Sequence, residues 1–282
     1  MKISCPGKII LMGEHAVVYG KPAIVAAVNR RMILRQAQDK QKTITKVRSE
    51  IPIGCGMGSS AAWSVLLAAN QIFSTSGIKK LNEKILAKIS KLAYEFEKVY
   101  HGNPSGADTT VITYGGILWF KKLKNHKFIF NKLKIGSIRK FVLINSGKPK
   151  ESTRDMVEKV KLEKQKNKKR TENLLDMIGE QTKIFLHGLE TRNRRLIKDS
   201  VQNCESLLED LGVVGQQAKD IIGKIEAIGG AAKITGAGGI STGSGMLLCY
   251  HQDPQKILDL AKKLKLDAFK VKLGTEGVKI EC

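Results

Sequence analysis

The alternation of apolar and polar positions changes character near the middle of the chain. In the first half, KISCPGKIILMG reads as a strand, EHAVVYG interrupts it, and PAIVAAV follows as an unbroken apolar run. Within 40–51, KTITKVRSEI alternates β-branched or apolar residues with charged ones, which predicts a half-exposed strand. Segments 59–73 and 82–100 read as helices, the second with Leu86, Ile89, Leu92, Ala93 and Phe96 at helical spacing. Gly and Pro in HGNPSGAD (101–108) end that helix. VITYGGILWF after it, and KFVLINSG at 140–147, read as buried strands.

Beyond Lys148 the texture becomes helical, with successive helices predicted over 152–169, 171–189, 193–210 and 214–227. GGAAKITGAGGISTGSG, the strand MLLCY, the helix PQKILDLAKKL and a final strand AFKVKLG follow. Strands and helices mixed without a regular βαβ series predict an α+β fold. A boundary near residue 147 divides the chain into domains 1–147 and 148–282.

Composition narrows the class. The chain has 282 residues, 42% of them apolar, and 27 glycines, enough for a sizeable core with many tight turns. It holds no 18-residue apolar run, and MKISCPGKIILMGEH lacks the pattern of a cleaved signal peptide, so no membrane span or export signal is expected. The five cysteines, at 5, 55, 204, 249 and 282, are odd in number and show no CxxC pairing. Reduced thiols of a cytoplasmic protein are the simplest account, without zinc or iron–sulfur spacing.

Charge is the outlier: 49 basic and 26 acidic residues give +23. Such a field attracts polyanions, and nucleic acid and nucleoside triphosphates both qualify. The densest run, KVKLEKQKNKKR at 159–170, contains no aromatic residue, so it reads as a solvated surface rather than a base-stacking platform.

Candidate chemistry lies in four segments. In PIGCGMGSSAA, Gly54, Gly56 and Gly58 allow close backbone approach, and Ser59, Ser60 and Ala61 open a helix whose N-terminus can bind phosphate. No Gly-Lys-Ser/Thr follows, so this is not a Walker A loop, and a plain turn before a core helix fits equally. PGKIILMGEH supplies Lys8, Glu14 and His15; alone, these also fit a snorkelling lysine and a structural Glu–His pair. Glu97 and the loop-held Asp108 follow, the latter suited to a general base or to capping a turn. His101 has no partner histidine at helical spacing to make a metal site. KITGAGG adds Gly236, Ala237, Gly238 and Gly239 in a second small-residue loop, or a flexible hairpin. Two phosphate-compatible loops, a lysine and an aspartate in one chain point together to phosphoryl transfer.

In order and wording these segments resemble the GHMP kinase superfamily, and within it the mevalonate kinase family. PGKIILMGEHAVVYGKPAIVAAV resembles the first motif, SEIPIGCGMGSSAA the nucleotide loop, HGNPSGAD before YGG the catalytic loop, and KITGAGG the third motif. STRDMVEKV and NCESLLEDLGV resemble intermediate segments, and the likeness runs over about residues 2–250. The resemblance implies a two-domain α+β fold: an N-terminal ATP-binding domain with a left-handed βαβ element, a ferredoxin-like C-terminal sandwich, and a cleft between them. It implies ATP- and Mg²⁺-dependent phosphorylation of the mevalonate 5-hydroxyl in isoprenoid biosynthesis. Asp108 would take or orient the hydroxyl proton, and Lys8 would offset charge near the γ-phosphate. Ser60 and Glu97 would hold Mg²⁺, the amides of 54–61 would cradle the triphosphate, and residues 236–239 would close over the reacting groups. His15 and Thr153 match substrate-contacting positions, supported by Glu14. The implied partners are ATP and mevalonate, with neither membrane nor nucleic acid, and a homodimer is left open. Another GHMP kinase acting on phosphomevalonate or a sugar shares these motifs, and a basic nucleic-acid-binding protein is the alternative of a different class.

The chain departs from the family pattern in places. Segment 30–49 is shorter than the excursion that usually helps form the adenine pocket. The third motif runs on as GAGGISTGSG instead of four glycines and a small residue. Cys55 and Met57 stand where alanine and leucine are more usual, and no proposed catalytic position is lost.

Overall fold

A computed structural model describes residues 1–39, 42–76, 80–101, 104–123, 127–135, 138 and 140–281. Lys40, Gly102 and Asn103 of the segments read above, and Cys282, lie outside the described residues. The first apolar stretch forms β1 (Lys2–Met12), a 3-10 turn at Ala16–Tyr19, and the long β2 (Pro22–Asp39), paired with β3 (Lys42–Ser49). Then come α1 (Ser59–Ser76), α2 (Glu83–His101), α3 (Ala107–Tyr114), β4 (Ile117–Lys122) and β5 (Phe128–Lys132).

These strands build an antiparallel sheet in the order β1-β2-β4-β5. β2 is long enough to take two partners on one side. Pro22–Ala26 pairs with β4, and Met32–Asp39 with β3. β3 and β4, both antiparallel to β2, therefore run parallel to each other, with α1–α3 crossing between them. Ala23–Val28 is fully buried, as the unbroken apolar run requires. Small residues on α1 (Ala61, Ala62, Ala68, Ala69) are almost wholly buried and let the helix lie close to the sheet.

One expectation is corrected here. Residues 111–120, read as one strand, are split between the end of α3 and β4. Ala107 and Thr109–Thr113 are all buried, so an apolar run with no wet face cannot reveal its period. The helix is set by its ends: Gly106 (φ 86°) caps it, Gly115 (φ 68°) stops it, and the Thr110 hydroxyl donates to the Gly106 carbonyl at 2.6 Å.

The second half comprises β6 (Phe141–Asn145), α4 (Thr153–Lys166), α5 (Lys168–Glu190), α6 (Arg194–Asp210), α7 (Gln216–Ala227), β7 (Ala231–Ile234), β8 (Met246–Tyr250), α8 (Pro254–Lys263) and β9 (Ala268–Lys270). Ser152 and Asp155 form a reciprocal capping box that starts α4. The sheet order β7-β8-β6-β9, antiparallel throughout, places the first of these four strands between the third and fourth. With helices after the first and third strands, this is the ferredoxin-like arrangement.

The halves interlock. β6 precedes residue 147 yet belongs to the second sheet, and β10 (Lys279–Glu281) returns to the first, pairing with Lys2–Ser4 of β1. Arg31 locks that return, donating to the Ser4 hydroxyl at 2.8 Å and to the carbonyls of Gly277 (2.8 Å) and Glu276 (3.1 Å).

Candidate active site

A cleft of about 810 Å³ opens where β1, the glycine loop, the start of α3, the β6–α4 loop and the β7–β8 loop meet. Every site residue expected from the sequence lines it except Glu14 and Gly239.

The glycine loop is anchored from both halves: the Lys8 amide donates to the Met57 carbonyl and the Met246 amide to the Cys55 carbonyl, each at 3.0 Å. Two glycines are demanded by their surroundings. A Cβ on Gly56 would stand 2.5 Å from the Thr235 carbonyl oxygen, and one on Gly58 would stand 2.7 Å from Cγ of Lys8. Only a residue without a Cβ fits, and both have positive φ. α1 starts immediately afterwards. The amides of Ser59, Ser60 and Ala61 occupy its first turn, where N–H groups lack intrahelical acceptors and favour an anion.

Below this loop Lys8, almost fully buried, places Nζ 3.0 Å from Oδ2 of Asp108, whose carboxylate is 35% exposed toward the cleft. Asp108 sits in the first turn of α3 rather than in a loop before a strand. Glu97 projects from the buried face of α2, and its Oε1 accepts hydrogen bonds from Ser60 Oγ (2.8 Å) and Ser64 Oγ (2.9 Å). Among the described residues no group of three or more His, Cys, Asp or Glu side chains gathers round a point. The Ser60 hydroxyl and Glu97 carboxylate are hard oxygen donors side by side, a pair that fits a cation taking one or two protein oxygens and completing its shell with phosphate and water, as Mg²⁺ does.

Adjacent Glu14 and His15 diverge. His15 (φ 56°) lines the cleft, with Nε2 3.0 Å from the Ala237 carbonyl. A carbonyl only accepts, so Nε2 carries the proton and Nδ1 is left as an acceptor. Burial pulls the imidazole down to about 4, so it is neutral near pH 7. Glu14, expected to support the substrate-contacting positions His15 and Thr153, does not line the cleft. It is fully buried and ion-paired with Lys233, which also donates to the Ile234 carbonyl at 2.7 Å. Burial raises the Glu14 carboxyl, against the opposing charge and hydrogen bond of Lys233. Beside them Glu205 accepts from the Ile234 amide at 2.9 Å, and burial pushes its carboxyl up to about 8. The Thr235 hydroxyl completes this seam between β1 and β7, donating to the Ile10 carbonyl (3.0 Å) and accepting from the Ile10 amide (2.9 Å).

Gly239 does not line the cleft. Its amide donates to the Val213 carbonyl (3.1 Å) and its carbonyl accepts from Ser244 Oγ (2.8 Å). The lengthened loop after it is fastened to the β6–α4 loop. Glu151 accepts from the amides of Ser241 (2.9 Å) and Ile240 (3.3 Å) and from the Ser241 hydroxyl, while Thr242 Oγ1 donates to the Lys148 carbonyl at 3.1 Å. The Ser241 hydroxyl and then the backbone amides hold the Glu151 carboxyl below the usual carboxylate range. This loop also brings Lys148, Lys150 and Arg154 to the cleft, residues that the sequence reading passed over. A signal existed: three basic residues clustered round the Ser152-x-x-Asp155 cap of the first helix in the second half.

The sequence pattern of the GHMP kinases N terminal domain matches residues 23–116. The mevalonate kinase of Archaeoglobus fulgidus is 30% identical over 275 residues, covering 85% of this chain and 89% of that protein. The mevalonate kinase of Thermococcus sibiricus is 28% identical over 346 residues, covering 99% and 97%. In three dimensions the chain is similar to L. major mevalonate kinase in complex with R-mevalonate, with a TM-score of 0.79 at 20% identity over 98% of this chain and 97% of that one.

Proposed function

The chain belongs to the mevalonate kinase family, and from that premise we propose that it transfers the γ-phosphoryl group of ATP to the 5-hydroxyl of mevalonate. The product, 5-phosphomevalonate, serves isoprenoid synthesis. The observation that carries this reading is the Lys8–Asp108 pair, 3.0 Å apart and directly beneath a glycine loop that opens onto a helix N-terminus.

The chemistry asked of the protein is mainly positioning and charge neutralisation. Asp108 accepts the hydroxyl proton as the new O–P bond forms and ADP leaves. Lys8 holds that carboxylate in place and offsets the negative charge that builds between nucleophile and phosphorus. The first-turn amides of α1 bind the triphosphate, and the 236–238 loop covers it. Neutral His15 offers Nδ1 as an acceptor to the substrate, with Thr153 on the facing wall. Ser60 and Glu97 would hold Mg²⁺, which when bound neutralises charge on the β- and γ-phosphate oxygens. The reading carries a cytoplasmic location: the four described cysteines are free thiols, and no described helix is long and apolar enough to cross a membrane.

The test is a panel assay of ADP release, offering MgATP with mevalonate, phosphomevalonate, homoserine or galactose. Turnover of mevalonate well above the others is expected. Preference for any other acceptor overturns the substrate assignment.

A further inference from the structure

The glycine loop has no lysine of its own, and Lys8, at its inner edge under Gly58, is already engaged by Asp108 at 3.0 Å. At the opposite end of the same loop another lysine arrives from the second half of the molecule. The Lys148 side chain rests on Gly54: a Cβ there would stand 2.8 Å from Lys148 Cε and 3.6 Å from its Nζ. Both residues line the cleft.

We propose that Lys148 is a second triphosphate-binding cation, gripping the nucleotide from the side opposite Lys8. This rests on reading the cleft as a nucleotide site. Three observations carry it beyond proximity. First, the root of the side chain is fixed. The Gly147 amide donates to Asn145 Oδ1 at 3.0 Å, the Gly147 carbonyl accepts from the Gly245 amide at 2.9 Å, the Lys148 carbonyl accepts from Thr242, and Pro149 restricts the backbone of Lys148 before it. The stem therefore starts from a set place, and its reach is to the glycine loop.

Second, among the described residues Lys148 has no carboxylate at ion-pair distance, whereas Lys8 and Lys233 each have one. The acidic residue nearest in sequence, Glu151, is taken up by Ser241 and Ile240. Third, the Gly54 amide under that stem donates to Ser59 Oγ at 3.4 Å, so the ammonium and the helix N-terminus that favours an anion border one cleft. An ammonium on a flexible stem suits a phosphate chain, which it meets as a point charge.

The test compares wild type with Lys148→Met and Lys148→Arg, by MgATP titration calorimetry and by steady-state kinetics. The methionine retains the stem length that lies over Gly54, and thermal melting checks that the fold is kept. Lys148→Met should weaken MgATP binding and raise its KM by about 10- to 100-fold, the size of one lost charge-assisted contact. Adenosine binding and the KM of the acceptor should stay unchanged, and Lys148→Arg should recover most of the loss. Unaltered MgATP affinity in Lys148→Met overturns the proposal. A rise confined to the acceptor KM overturns it too, and reassigns Lys148 to the acid substrate. Because calorimetry needs no turnover, failure of the mevalonate assay leaves this test standing; a wild-type chain that does not bind MgATP sinks both.

Discussion

Lys8 and Asp108 meet at 3.0 Å with the carboxylate partly open to the cleft, whereas Lys233 and Glu14 meet with neither side chain exposed at all. Both lysines lie on strands that border the glycine loops, and both pairs join distant segments. The difference is access. An open carboxylate can exchange part of its hydration for a substrate hydroxyl, so its charge is available to chemistry. A sealed pair cannot exchange partners, so its charge is available only to hold β1 against β7 at fixed spacing. In this fold the distance between reaction and support is one residue: His15 faces the cleft and Glu14 faces the seam.

The sharpest test of that contrast removes the open carboxylate. Asp108→Asn retains shape and can still accept a hydrogen bond from Lys8, but it cannot take a proton. We expect kcat to fall by about 10²- to 10⁴-fold with MgATP binding and thermal stability nearly unchanged. A wild-type rate in this variant breaks the comparison, because the two pairs would then both be structural. The sealed pair should answer in stability instead. Lys233→Met strips the buried Glu14 carboxyl of its partner, and urea unfolding should show a loss of about 3–5 kcal/mol. Adding Glu14→Gln should restore much of it, since no unpartnered ionisable carboxyl is then left in the seam.

The smallest effect is a pH slope. Folded Glu205 holds its proton up to about 8 against an ordinary value of 4.5, so between those values the folded chain keeps a proton that the unfolded chain releases. Stability therefore falls as pH rises across that window and levels off above it. Glu14, also raised by burial, adds in the same direction. His15 works oppositely: folded at about 4 against 6.5, it makes stability rise with pH over that lower range. From pH 6.5 to 8, above the His15 range, Glu205 pulls the slope downward, and Glu205→Gln should flatten it in thermal melts. A slope unchanged by that substitution separates Glu205 from the seam.

Much of this was legible in the sequence because glycine, proline and serine constrain the backbone locally. The three small-residue loops, Lys8, Asp108 and the Ser60–Glu97 set all converge on one cleft, and the two-sheet α+β organisation is the one expected. What escaped depends on partners far along the chain. Glu14 is sealed by a lysine 219 positions away, so nothing near it distinguishes its fate from that of His15. Residues 109–114 carry only apolar or hydroxylated side chains, and such a run shows no period until its surroundings are known. Nothing local in the sequence sets Lys148 apart from the other lysines of a chain of charge +23; the fastening of its loop to residues 240–245 gives it an address.

The short strand β10 bears on how the molecule is made. It closes the outer edge of β1 through residues 277 positions apart, Ser4 and Glu281, and Arg31 pins the crossing. Loops of that span close late, because ordering entropy must be met before the contact rewards it. During synthesis the Lys2–Ser4 edge of β1 stays unpaired until residues 279–281 have emerged. A nascent or truncated chain thus exposes a ready template for pairing with another copy.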